Sequence, residues 1–199
     1  SGEVVVLSLG GDHAARVLRS GLAMGADRAI HLADSQFSGS DEFATARIIA
    51  KAVEKDGGAD MLLTGVQSDD LGTGTTGIMV AEFLGWAYAT VVIAVKVDTD
   101  AASVRADREL EGGVHESVEL PTPCVLTIQF GINQPRYASL KGIMAAKKKE
   151  VRVVEPPADL APHHEILELY VPEKGKQTRL IEGAPVEAAT ELVRLLREE

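Results

Sequence analysis

The sequence predicts an α/β fold: an open, mostly parallel sheet with helices on both faces, followed by a C-terminal arm and helix. Three observations carry this. Short, β-branched apolar runs alternate with segments of helical period from Val4 to Gly85. A Gly- and Thr-rich stretch stands where one such strand hands over to a helix, the place where ligands sit in open α/β sheets. A length of 199 residues, 45% apolar and 25% charged, suits one ordinary domain with an appended arm.

Residues 4–9 read as a strand, because a Val-rich run ends at Gly10-Gly11. Asp12 stands where it would cap the next helix, in which Val17, Leu18 and Leu22 recur until Gly25 stops it. Residues 28–32 give a second strand. Ser40 is the expected cap of a helix running to Lys55, with Asp41 and Glu42 favourably placed in its first turn. Residues 59–64 form a third strand and 65–76 a polar loop. Ile78, Met79, Ala81, Phe83 and Leu84 then mark a helix that ends at Gly85.

After Trp86 the period changes. Residues 91–97, 103–110 and 114–120 read as strands, with Gly112-Gly113 turning the last two as a hairpin. Residues 121–129 form one more strand, apolar enough to be central. Residues 156–162 read as a Pro- and Ala-rich linker. It divides a nucleotide-binding domain (1–155) from an arm and helix (156–199), in which Pro185 opens the helix and Val186, Ala189, Val193 and Leu196 share a stripe.

Composition excludes several function classes. The net charge of -10 and the lack of a long basic stripe argue against nucleic acid, and 4% aromatic residues leave no base-stacking platform. No apolar run reaches the roughly 20 residues of a membrane span, and no signal peptide is evident. Cys124 stands alone in an apolar strand, which fits a buried small hydrophobe and a reducing compartment such as the cytoplasm. His163-His164 read as solvated linker, since adjacent histidines point apart in an extended chain. His13, His31 and His115 are scattered, so neither a catalytic residue nor a metal site is expected. Lys147 to Lys149 read as an exposed entry to a strand. The chain opens directly on a strand, and preceding material is expected.

The stretch from Gly65 to Gly77 is the most informative. Free amides at the helix start, with the hydroxyls of Thr73, Thr75 and Thr76, make a phosphate cradle. The glycines let backbone approach closely. The loop has no Lys or Arg and matches neither common phosphate-loop pattern. A phosphate held by dipoles and hydroxyls alone is held rather than transferred, because transfer wants cationic clamps or metal. A plain Gly/Thr connector with an ordinary helix cap is the competing reading of the same residues.

Several strings resemble one family. Ala23-Met24-Gly25-Ala26-Asp27-Arg28, Gln67-Ser68-Asp69-Asp70, Arg108-Glu109-Leu110-Glu111-Gly112-Gly113 and Asn133-Gln134-Pro135-Arg136-Tyr137-Ala138-Ser139-Leu140 are similar to those of electron-transfer flavoprotein beta subunits. Tyr170-Val171-Pro172-Glu173-Lys174-Gly175 and Ile181-Glu182-Gly183 look most like the beta subunits of methylotrophs that serve amine dehydrogenases. The resemblance implies a Rossmann-like sheet of the adenine nucleotide alpha hydrolase kind. It also implies a heterodimer with an alpha subunit that holds most of the FAD, and an electron carrier rather than an enzyme.

The resemblance places a structural AMP at Leu9, Gly10, Gly65, Val66, Gln67, Ser68, Asp69, Asp70, Gly72, Thr73, Gly74, Thr75 and Thr76. Electron-bifurcating relatives put a second FAD there and carry a different loop string, so AMP is favoured. It makes Pro135, Arg136, Tyr137, Leu140, Ile143 and Met144 a docking segment for flavin dehydrogenases. On composition alone, the same apolar residues would simply pack a short helix onto the domain. The resemblance also implies a further strand and helix ahead of Val4, about fifty residues, carrying part of the AMP pocket. The alternative function is a stand-alone adenine-nucleotide-binding regulator of universal-stress-protein type.

Overall fold

The computed structural model describes residues 2–33, 40–155, 162–164, 166–171, 175, 178 and 180–198. Most of the expected linker lies outside the described residues. The chain divides into two compact units, residues 1–165 and 166–199.

In the first unit the α/β expectation holds, but hydrogen bonding separates eight strands into two open sheets. β1 (Val5–Leu9), β2 (Arg28–Leu32) and β8 (Val151–Val154) form a parallel sheet with β2 in the middle. The second sheet runs β3 (Met61–Gly65), β7 (Cys124–Ile128), β4 (Ala87–Asp98), β5 (Ser103–Glu109) and β6 (His115–Pro121). Its first three strands are parallel and the rest antiparallel. β7 is central, with Cys124, Val125 and Leu126 fully buried. Burial pushes the Cys124 thiol up, so it stays protonated.

β2 reads as a buried parallel strand because it is covered on both faces. Ala29 meets Leu18 and Leu22 of α1 (Asp12–Ala23), whereas Ile30 and Leu32 meet Ile48 and Ala52 of α2 (Glu42–Lys55). α3 (Thr76–Leu84) packs on α2 through Ala46, Ala50 and Val80, all buried. Leu62 of β3 joins that contact, so the two helices tie the second sheet to the first. The small side chains let these helices approach closely.

Some boundaries differ from the expectation, for physical reasons. The strand expected at 91–97 begins at Ala87, and its first residues pair with β7. A bulge follows at Val91, whose φ of 56° is rare for a β-branched residue, and it breaks the alternation that marks a strand. The third strand starts at Met61 rather than Ala59. Gly11, with no side-chain bond, takes the cap position expected of Asp12, which becomes the first helical residue. Asp41, not Ser40, caps α2: its carboxylate accepts the Ala44 amide at 2.8 Å. The hairpin forms as expected, with a 3-10 turn at Glu111–Gly113.

His163-His164 are not a free linker. Their amides donate to the Asp41 carboxylate at 2.5 and 2.9 Å, and the His163 ring stacks on Phe43 at 3.9 Å. Phe43 in turn meets Phe83 of α3 edge-on at 5.2 Å. Burial opposes the charge on Asp41, but the amides of Ala44, His163 and His164 outweigh it and hold the carboxyl below the usual range.

The second unit contains α5 (Pro185–Glu198), beginning at Pro185 as expected. Val186, Leu192, Val193 and Leu196 are exposed on it. No helix among the described residues is long and apolar enough to cross a membrane.

Candidate nucleotide loop and docking face

The Gly65–Gly77 stretch joins the carboxyl end of β3 to α3. Gly77 sets how closely that helix approaches. A Cβ there would lie 2.3 Å from Thr64 Oγ1 and 2.9 Å from the Thr127 methyl, so only glycine lets α3 start directly on the ends of β3 and β7. Thr127 is itself buried, and its hydroxyl accepts the amide of Val91 at 3.3 Å. The strained bulge, β7 and the helix start are therefore packed side by side. Strain of this kind clusters at ligand sites.

The amides of Thr76, Gly77 and Ile78 precede the helical ladder, whose first bond runs from Met79 to Thr75 at 3.0 Å. Thr75 caps the helix without a side-chain bond, so these donors are left to whatever lies in front of them. The loop holds its own shape. Gly72 donates to the Ser68 carbonyl at 3.1 Å, and both Gly72 and Gly74 take left-handed φ values of 64° and 66°. Hydrogen bonds from Ser68 and the Leu71 amide keep the exposed Asp70 carboxyl below its usual range. Gln67, Ser68, Asp69 and Thr73 are exposed, Val66 and Gly74 half-buried.

Leu9 and Gly10 lie at the carboxyl end of β1, in the other sheet. Gly10 donates to Leu32 O at 3.1 Å, and its carbonyl pairs with His31 Nε2 at 2.8 Å. No hydrogen bond joins them to the Gly65–Thr76 loop among the described residues. The expected site residues thus fall into two groups at carboxyl strand ends.

Pro135, Arg136 and Tyr137 lie in irregular chain leading into α4 (Leu140–Ala146), capped by Ser139, whose hydroxyl accepts the Gly142 amide at 3.0 Å. α4 crosses the end of α1 so tightly that a Cβ at Gly142 would lie 2.4 Å from the Ala23 carbonyl. Ala146 is buried against Leu18 and Leu22. The larger apolar residues point away: Tyr137 is 96% exposed, Leu140 84% and Met144 63%, with Ile143 also exposed. The helix is held by its small residues and offers its large ones.

Two contacts here escaped the sequence reading. Lys149 Nζ donates to the Ala26 and Leu22 carbonyls at 2.5 and 3.3 Å, at the end of α1. Arg19 donates to the carbonyls of Ala146 and Lys149 at 2.5 and 2.9 Å, at the end of α4. Each helix thus carries the cation that caps the other's carboxyl end. A lone Arg on a helix face and the last of three lysines carry no signal of such pairing.

Comparison with known proteins matches this architecture to one family. The family described as Electron transfer flavoprotein domain matches residues 1–159. The chain is 41% identical to the Electron transfer flavoprotein subunit beta of Methylophilus methylotrophus, over 98% of this chain and 77% of that protein. It is 33% identical to the protein of that name from Bacillus subtilis, over 100% of this chain and 78% of that one. The mitochondrial Electron transfer flavoprotein subunit beta of Arabidopsis thaliana is 36% identical, over 99% and 76%. With strands, loop and C-terminal helix all inside the matched span, the chain belongs to the electron transfer flavoprotein family, among its beta subunits.

Proposed function

We propose that this chain works in the cytoplasm as the nucleotide-holding half of a heterodimeric electron carrier. It takes electrons from flavin dehydrogenases and passes them on through FAD held mainly by an alpha subunit. FAD supplies the redox chemistry; this chain supplies scaffold, nucleotide site and docking face, with no catalytic side chain of its own. The nucleotide is a structural AMP, its phosphate at the Thr76, Gly77 and Ile78 amides and the Thr73, Thr75 and Thr76 hydroxyls. Leu9 and Gly10, at the end of β1, complete the site. Pro135, Arg136, Tyr137, Leu140, Ile143 and Met144 dock the dehydrogenase, with Leu140 as the apolar anchor.

One observation carries the reading: α3 is pressed by Gly77 onto two strand ends with its leading amides uncapped, and the loop before it has no cation. That chemistry suits a phosphate that stays put. The test is to purify the complex with the alpha subunit, denature it and identify the released nucleotides. One AMP and one FAD per heterodimer are expected. Two FAD and no AMP would replace AMP by the bifurcating arrangement. A colourless monomer that captures no flavin-bearing partner would favour the stand-alone regulator.

A further inference from the structure

The α1–α4 face has a charge opposite to that of the chain. Residues 131–149 contain five Lys and Arg and no Asp or Glu; setting those five aside from the net -10 leaves the rest of the chain at -15. The five are not equivalent. Lys149 is spent on the carboxyl end of α1, as Arg19 is on that of α4. Arg136, Lys141, Lys147 and Lys148 are exposed, with no ion pair or side-chain hydrogen bond among the described residues. They surround Tyr137, Leu140 and Met144. Beside that knob lies a cleft of about 660 Å³, lined by Met24, Ala23 and Ile143 and edged by Arg136 and Lys147.

We propose that this face binds an acidic protein surface built around an apolar socket. Leu140 and Tyr137 enter the socket while Arg136, Lys141, Lys147 and Lys148 meet the carboxylates around it. The inference rests on the docking role proposed above and adds the charge of the partner. A knob next to a cleft interlocks with a shaped protein surface rather than a flat lipid one. The acidic remainder of the chain repels anionic membranes and nucleic acid. Exposed rim cations act mainly on the rate of encounter, so the signature is kinetic and salt-dependent.

The test uses the full heterodimer and a purified amine-oxidising flavin dehydrogenase that reduces it, following the second-order rate of flavin reduction against NaCl concentration. The wild-type rate is expected to fall about tenfold from low salt to several times physiological salt. Lys147→Glu with Lys148→Glu should cost about tenfold at low salt and flatten the dependence. Leu140→Ala should slow reduction at every salt concentration while keeping the slope. Lys149→Met should lower Tm and keep the slope, which separates the structural cation from the recognition cations. A salt-independent wild-type rate, or an unchanged slope in the double reversal, overturns the acidic partner. If Leu140→Ala still slows reduction in that case, the docking role stands without it; if Leu140→Ala reacts like wild type, the docking role itself fails. Binding to phosphatidylserine vesicles that is lost in the double reversal, with the dehydrogenase rate unchanged, assigns the face to a membrane and overturns the proposal.

Discussion

α3 and α4 are both short, apolar helices entered through a loop, and they are used in opposite ways. In α3, Gly77 is pressed against two strand ends, and Val80 and Ala81 are fully buried. In α4, Gly142 and Ala146 make the inner contacts while Leu140 and Met144 face out. The comparison teaches that apolar content does not say what a helix is for. The position of the small residues decides it, because backbone approaches where side chains are absent and large side chains are left on the other face.

Gly77→Ala is the harshest way to break this contrast. The added methyl overlaps Thr64 and Thr127 on rigid strands, and a loss of about 2–3 kcal/mol is expected by urea unfolding. Thr64→Ala in the same chain should recover part of it. A fall limited to about 0.5 kcal/mol would mean that α3 does not sit directly on the strand ends.

Next come two acids that hold the first unit together. Hydrogen bonds from Arg28 keep the Asp56 carboxyl below its usual range, helped by Arg152, and amides do the same for Asp41. A carboxylate depressed in the folded state adds stability above its unfolded value, about 4. That stability is lost as pH falls through the lower folded value. Urea midpoints should therefore drop below about pH 4, and less steeply in Asp41→Asn and Asp56→Asn. At neutral pH each substitution should cost about 1–2 kcal/mol. Asp41→Asn should also speed hydrogen exchange at the His163 and His164 amides.

Gly142→Ala pushes α4 off the Ala23 carbonyl, and about 1 kcal/mol is expected, because a peripheral helix yields more easily than α3. Proteolysis should then start around α4. The smallest effect belongs to Leu140→Ala, whose side chain is 84% exposed: stability should stay within about 0.5 kcal/mol. A larger loss would place Leu140 in the core and remove it from any docking face.

Much of the first unit was legible in the sequence. β2 and β7 are short apolar runs buried on both faces, α3 stops at Gly85, and the β5–β6 hairpin turns at its glycine pair. The Gly65–Thr76 loop could be singled out because glycines, hydroxyls and the strand-to-helix change coincide. The cap of α2 could not be settled, since Ser40 and Asp41 are both good capping residues. The early part of β4 was hidden by one residue in a left-handed conformation.

By itself, then, the sequence determined the order and type of the elements, the polar loop and the family, because periodicity, turn residues and motif strings are local properties. The tertiary structure alone decided the division into two sheets, the stacking of Val91, Thr127 and Gly77, the docking of His163-His164 on Asp41, and which lysine of three is spent on α1. Each of these joins residues far apart in the chain, where nothing in either segment records the other, and only packing sets the distance between them.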